Sequence, residues 1–176
     1  LTATPRRADG LEKAMFALLG EVIGSVSQEE IDDRTCPVEI KIIKTDYEPL
    51  MNSTAFNYDG TVNYTGLIED LTQNQPRFDQ IIKAVNKLKG PTMVLANRIA
   101  YLQHMQEQYI GRSVCLSGMK PTKKNREERD TALARLDRGE IDCLFATYQL
   151  AKEGLDVPNL RYVVFATPEK DFTTVV

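Results

Sequence analysis

The sequence predicts an α/β three-layer sandwich built on a parallel sheet, and three observations carry that reading. Short apolar runs recur through the second half of the chain: "TMVLA" (92–96), "SVCL" (113–116), "DCLFA" (142–146) and "YVVFA" (162–166). Continuous apolar runs of this length suit strands covered on both faces. Between them lie longer segments with apolar residues at helical spacing, each closed by Gly or Gly-Pro. Strands that alternate with helices in this way require right-handed crossovers and therefore parallel pairing.

From the amino end, Leu11 to Leu19 reads as a helix ended by Gly20, and "EVIGSV" (21–26) as a short strand before the charged stretch "SQEEIDDR" (27–34). "EIKII" (39–43) alternates and is expected to add a further strand to the same sheet. Residues 45–63, rich in Asn, Asp, Gly and Thr, read as a long surface loop, and Tyr58 and Tyr64 read as plain surface-loop residues rather than a platform for stacked bases. Phe78, Ile81, Ile82, Val85 and Leu88 mark a helix that Gly90-Pro91 ends. Ile99, Leu102, Met105 and Tyr109 mark the next, closed by Gly111. A charged helix over about 123–138 has Ala132, Leu133 and Leu136 as its apolar stripe and Gly139 as its stop.

Bulk properties narrow the function classes. At 176 residues the chain holds one domain, or one domain and part of another. Hydrophobic content of 42% with 27% charge excludes wholesale disorder. No run reaches the roughly 18 apolar residues that a membrane helix needs, and no membrane partner is expected. A net charge of −3 argues against a nucleic-acid clamp that works by bulk charge, while leaving room for a local basic surface. Cys36, Cys115 and Cys143 are odd in number and lack metal-ligand spacing. They read as free thiols of a reducing, cytoplasmic protein, and no metal site is expected.

In parallel α/β sheets ligands sit at the carboxyl ends of the strands. Four such exits carry small, hydroxyl or basic residues: Asn97-Arg98, Ser117-Gly118-Met119-Lys120, the run from Ala146 to Pro158, and "ATPEKDF" (166–172). Hydroxyls, bases and helix N-terminal N–H groups above strand ends suit a phosphate-rich partner. Each exit taken singly is also ordinary turn and cap chemistry.

Longer stretches are more specific. "LTATPRRADG" (1–10), "ALARLDRGEIDCLFAT" (132–147) and "FATYQLAKEGLDVPNLRYVVFATP" (145–168) together resemble a superfamily-two helicase. "LTATP" resembles motif III, the last core strand of the first motor lobe; "TMVLANRIAYLQHM" resembles motif IV, and "ATYQLAKEGLDVP" motif V. The resemblance implies a second, RecA-like motor lobe over 64–176, a tail of the first lobe over 1–26, and a linker with the first strand and loop over 27–63. "TATP" and "GLDVP" look more like the DNA-translocating DExH branch than the DEAD-box RNA helicases, so DNA is favoured over RNA, and a bacterial or phage source fits.

The resemblance also implies roles, residue by residue. Arg98, Ser117, Gly118 and Thr147 are expected to contact the nucleic-acid backbone. Gly154 and Asp156 are expected to face ATP across the interlobe cleft, and Thr2 and Thr4 to couple the lobes. Plain alternatives stand beside these: Thr147 as a helix cap, Asp156 as a turn former, Arg98 as a solvated helix-start residue. The seven bases of 120–138 read as a solvated face rather than a DNA patch. His104, the single histidine, is assigned no role.

The sequence lacks a G-x-x-x-x-G-K-[ST] phosphate loop, an Asp-Glu pair for Mg²⁺ and the Gly-Arg-x-x-Arg of motif VI. No catalytic residue is therefore assigned. ATP and Mg²⁺ are expected to be held mainly by the first lobe of a longer chain, and this lobe is not expected to hydrolyse ATP alone. The rival expectations are a non-catalytic nucleic-acid-binding module that kept the lobe, and an RNA helicase lobe.

Overall fold

The computed structural model describes residues 12–20, 24, 38–50, 53–116, 123–151 and 157–169. The chain divides into two compact units, Leu1–Ile43 and Lys44–Val176. In the first, helix α1 (Glu12–Leu19) forms where the sequence predicts it. Apart from Gly24, the strand expected at 21–26 lies outside the described residues, as does the motif III stretch.

The strand expected at "EIKII" does not form: residues 38–43 have no regular structure, and Ile40 and Ile42 are each 84% exposed. Alternation gives a segment β propensity, but a strand exists only where a ladder accepts its N–H and C=O groups. None of the described ladders includes this segment.

In the second unit, residues 53–63 form a loop closed by an antiparallel bridge between Phe56 and Val62. The next element, α2 (Tyr64–Gln73), is one that sequence reasoning missed. Tyr64 opens this helix instead of belonging to the loop, which corrects the expectation for that residue. The Asn63 side chain caps α2 by accepting from the Gly66 N–H at 3.2 Å. Asn74 ends α2 and caps α3 (Gln75–Val85), accepting from the Arg77 N–H at 3.0 Å. Pro76 in the first turn of α3 loses no hydrogen bond there.

Then β1 (Thr92–Ala96), α4 (Ile99–Gln108), β2 (Ser113–Leu116), α5 (Lys123–Asp137), β3 (Cys143–Thr147), the short α6 (Tyr148–Ala151) and β4 (Tyr162–Phe165) alternate as predicted. The four strands are parallel in the order β2-β3-β1-β4. Gly139 stops α5 with φ +69°, a left-handed conformation that favours glycine.

The sheet separates two cores by simple alternation. Met93 and Leu95 of β1 with Leu144 and Ala146 of β3 pack against Ala132, Leu133 and Leu136 of α5 and Tyr148 and Leu150 of α6. Val94 and Ala96 with Cys143 and Phe145 face Phe78 and Val85 of α3 and Tyr101, Leu102 and Met105 of α4. Helices on both faces of a parallel sheet make the predicted three layers.

Of the described strands, only β1 and β3 are almost wholly covered. The apolar run of β4 predicts burial, yet Tyr162, Val163 and Phe165 remain 37–42% exposed. Its position at the end of the described sheet explains the difference, because among the described strands only β1 shields it. Cys143 is buried and Cys115 half-buried, both as free thiols; Cys36 lies outside the described residues.

At the amino edge of the sheet, Arg112 forks onto Asp142: Nη2 donates to Oδ1 at 2.9 Å and Nε to Oδ2 at 3.1 Å. Arg112 Nη2 also donates to the Gly139 carbonyl at 2.9 Å, so one side chain ties the start of β2 to the turn before β3. The hydrogen bond from Arg112 holds the Asp142 carboxyl below the usual carboxylate range.

These contacts can be tested by substitution. Asp142 favours the folded state above the ordinary carboxylate pKa, and that contribution falls away as pH drops through its depressed native value. Asp142→Asn is therefore expected to flatten the acid limb of the stability curve, measured as urea midpoint against pH. Gly66 marks a close approach, since an added Cβ would sit 1.8 Å from the Thr54 carbonyl oxygen. Gly66→Ala is expected to cost about 1–3 kcal/mol by forcing the loop off α2, read by chemical denaturation.

Candidate functional site

The in-register rows of the sheet end at one edge. Leu95 pairs with Ala146 on one side and Phe165 on the other, and Ala96 pairs with Thr147. The chain therefore leaves β1, β3 and β4 side by side. This brings two of the sequence-predicted contact residues, Arg98 and Thr147, to neighbouring exits.

Arg98 is exposed and precedes α4 in an extended conformation (φ −121°, ψ 123°). Its carbonyl accepts the Leu102 N–H at 3.2 Å, whereas its side chain makes no capping bond. The guanidinium thus stands at a helix start with no ion pair to another described residue. Thr147 is half-buried at the last position of β3, directly before α6. Tyr148, Leu150 and Ala151 bury into the core and fix that turn. Ser117, Gly118, Gly154, Asp156, Thr2 and Thr4 lie outside the described residues.

Sequence reasoning marked "ATPEKDF" as a polar exit but missed how it is held. Thr167, 2% exposed, accepts the Asn97 backbone N–H on its hydroxyl at 3.0 Å and donates that hydroxyl to Asn97 Oδ1 at 2.5 Å. Tyr148 donates its hydroxyl to the Thr167 carbonyl. Arg77 Nη2 donates to the Ala166 carbonyl at 2.6 Å, and the Tyr64 hydroxyl to the Pro168 carbonyl at 2.5 Å. A polar residue just past an apolar strand was the available signal.

Burial pushes the Tyr148, Tyr101 and Tyr64 phenols up, so all three remain hydrogen-bond donors at neutral pH. Burial also pushes the Cys115 thiol up to about 11, and Cys143 higher still. Neither thiol has the low pKa of a nucleophile. A cleft of about 160 Å³ opens between α4 and α5 beside the β2 exit, with Gln103, Cys115, Asn125 and Arg129 among its walls. It is smaller than the roughly 300 Å³ at which pockets begin to enclose a ligand of nucleotide size.

Two arginines of α5 and one just after it meet nearby acids: Arg129 with Asp130 at 3.3 Å, Arg135 with Glu140 at 3.6 Å and Arg138 with Glu140 at 2.6 Å. Lys120 and the side chains of Lys123 and Lys124, also counted in the predicted solvated face, lie outside the described residues. His104 stacks on Phe78 with ring centroids 4.5 Å apart and has a packing role. Among the described residues no helix is long and apolar enough to cross a membrane.

Comparison with known proteins agrees with this architecture. The helicase conserved C-terminal domain matches residues 76–176, more than half of the chain. "Putative helicase 22" of the Sulfolobus islandicus filamentous virus (isolate Iceland/Hveragerdi) is 28% identical over 184 residues, covering 97% of this chain and 32% of that protein. The chain therefore spans about a third of the length of this curated relative. Among solved structures, T4 UvsW superposes with a TM-score of 0.50 at 22% identity, covering 61% of this chain and 22% of UvsW. The yeast DEAD-box splicing factor Prp28 gives 0.47 at 22% identity, over 57% of this chain and 22% of Prp28. The matched residues take in β1 to β4 and the exits that carry Arg98, Thr147 and Thr167, and the chain belongs to the helicase conserved C-terminal domain family.

Proposed function

We propose that this chain is the second motor lobe of an ATP-dependent nucleic-acid helicase or translocase, acting on DNA in preference to RNA. The observation that carries the reading is the carboxyl edge of the sheet, where Arg98 and Thr147 stand at adjacent strand exits. A guanidinium and a hydroxyl there are phosphate donors of complementary kind: one supplies charge, the other a short directional hydrogen bond. The N–H groups that open α4, just past Arg98, add uncharged donors to the same edge.

Contacts of this type read the backbone and carry no base information, as a motor stepping along any sequence requires. Ser117 and Gly118 extend the same role on the β2 exit by family resemblance. Gly154 and Asp156 are the proposed nucleotide-facing pair, with ATP and Mg²⁺ held mainly by a first lobe of the same polypeptide. When bound, ATP supplies the free energy of closure between lobes; this lobe contributes the backbone grip that closure moves.

Two measurements test the reading. Binding of the chain to oligo(dT) and oligo(U) should weaken as salt rises and vary little with sequence. Arg98→Ala should weaken it uniformly and reduce the slope of log affinity on log salt by about one. Steep sequence preference at constant salt, or no binding, overturns the backbone-grip role. In the full-length protein, ATP hydrolysis should be stimulated more by DNA than by RNA. Stimulation by RNA alone would move the assignment to an RNA helicase, and binding without hydrolysis to a non-catalytic module.

A further inference from the structure

Three consecutive carbonyls after β4 are each held by a side chain from a different helix. Arg77 of α3 holds Ala166, Tyr148 of α6 holds Thr167, and Tyr64 of α2 holds Pro168. The ladder itself runs one residue past β4, with the Ala166 N–H donating to the Leu95 carbonyl at 2.8 Å. Thr167 then closes a two-way pair with Asn97, and Asn97 Nδ2 reaches Glu169 Oε2 at 3.5 Å. Thr167 and Tyr148 are 2% and 3% exposed, so the bond between them forms away from water, while the bonds to Asn97 are part-buried.

The neighbours of this clasp give it a function. Asn97 immediately precedes Arg98, and Tyr148 immediately follows Thr147. The two residues proposed to grip the backbone are each one peptide away from a residue bonded to Thr167. We propose that Thr167, with Asn97 and Tyr148, is a positioning device that fixes the spacing of Arg98 and Thr147 at the sheet edge. Neither Thr167 nor Tyr148 touches the nucleic acid in this scheme; Thr167 acts on Arg98 through Asn97, and Tyr148 acts through its chain neighbour Thr147. The inference rests on the proposed backbone grip of the preceding subsection.

The mechanism is one of pre-organisation. Arg98 starts a helix whose first turn has no side-chain cap; its carbonyl is held by the Leu102 N–H, so what fixes the chain on its amino side is the Asn97 bond. The Asn97 N–H bond to Thr167 pins the peptide before it. Tyr148 pins the peptide after Thr147 to the same residue, so the two exits share one anchor. A partner with evenly spaced phosphates is bound best when its two donors keep a fixed separation.

The test is a double-substitution cycle on binding of oligo(dT) and oligo(U) by this chain, measured where circular dichroism shows each variant folded. Thr167→Val removes both bonds to Asn97 and is expected to weaken binding about tenfold. In an Arg98→Ala background the same change is expected to cost about twofold or less, because a positioning residue has nothing left to position. Thr167→Ser, which keeps the hydroxyl, should bind like the unsubstituted chain.

Equal costs of Thr167→Val in both backgrounds, or no cost in either, would overturn the proposal, since a merely structural residue does not act through Arg98. Should Thr167→Val not fold, Tyr148→Phe keeps the ring in the core, and its cycle with Thr147→Val is read by the same criteria. If the unsubstituted chain binds neither oligonucleotide, the backbone grip itself fails and the clasp with it. Binding with additive costs removes the clasp alone.

Discussion

The alternation of side chains along β1 and β3 is the constraint on which the rest of the lobe depends. Each strand sends its odd and even residues into different cores, and both cores are largely apolar. A slip of one residue would exchange Met93 and Leu95 for Val94 and Ala96 and refill both cores with the wrong shapes. The register is therefore fixed by packing from two sides at once. Because Thr147 ends β3 and Asn97-Arg98 comes directly after β1, packing deep in the sheet sets where the polar residues emerge. The apolar residues of β1 and β3 place the site without being part of it.

That placement bears on the proposed grip, in which an acidic chain would have to hold a polyanion. The net charge of −3 gives no long-range attraction for phosphate. Arg129 and Arg135 of α5 and Arg138 just after it add little, because each meets an acid. Attraction has to come from a few donors aimed at short range, which demands accurate positioning more than abundance. A surface with many unpaired lysines would tolerate loose geometry. An edge that relies on an exposed guanidinium and a hydroxyl does not.

Much of this was legible in the residues, for reasons that differ by element. β1 and β3 were readable because a strand covered on both faces must be continuously apolar, and few other structures demand that of five successive residues. The stop of α5 at Gly139 was readable because only glycine enters that conformation cheaply. Arg98 and Thr147 were readable as strand-exit residues once the strands were placed. α2 was not, since "YTGLIEDLTQ" starts with residues that also make loops, and its Gly66 is dictated by contact with Thr54. "EIKII" misled for the opposite reason: its alternation is real, but pairing depends on a partner that local sequence does not encode. Thr167 stood in a polar exit that the sequence marked, but its bonds were not legible because they join it to Asn97, 70 positions away.

The exposed state of β4 finally accounts for why hydrogen bonds, and not packing, hold residues 166–169. A buried strand hands its exit segment a fixed direction, because the core on either side leaves no room to move. Among the described residues β4 has one strand neighbour and three substantially exposed side chains, so burial alone cannot aim the segment beyond it. Apolar contact would in any case hold the segment near the sheet without choosing its orientation, since the hydrophobic effect has no direction. Hydrogen bonds choose direction, and each carbonyl of the segment from Ala166 to Pro168 has its own donor from a separate helix. The donors are an arginine and two phenols that burial keeps protonated, so the hold persists across the neutral pH range. Where the fold is weakest in apolar cover, directional bonds supply the rigidity that the edge of the sheet requires.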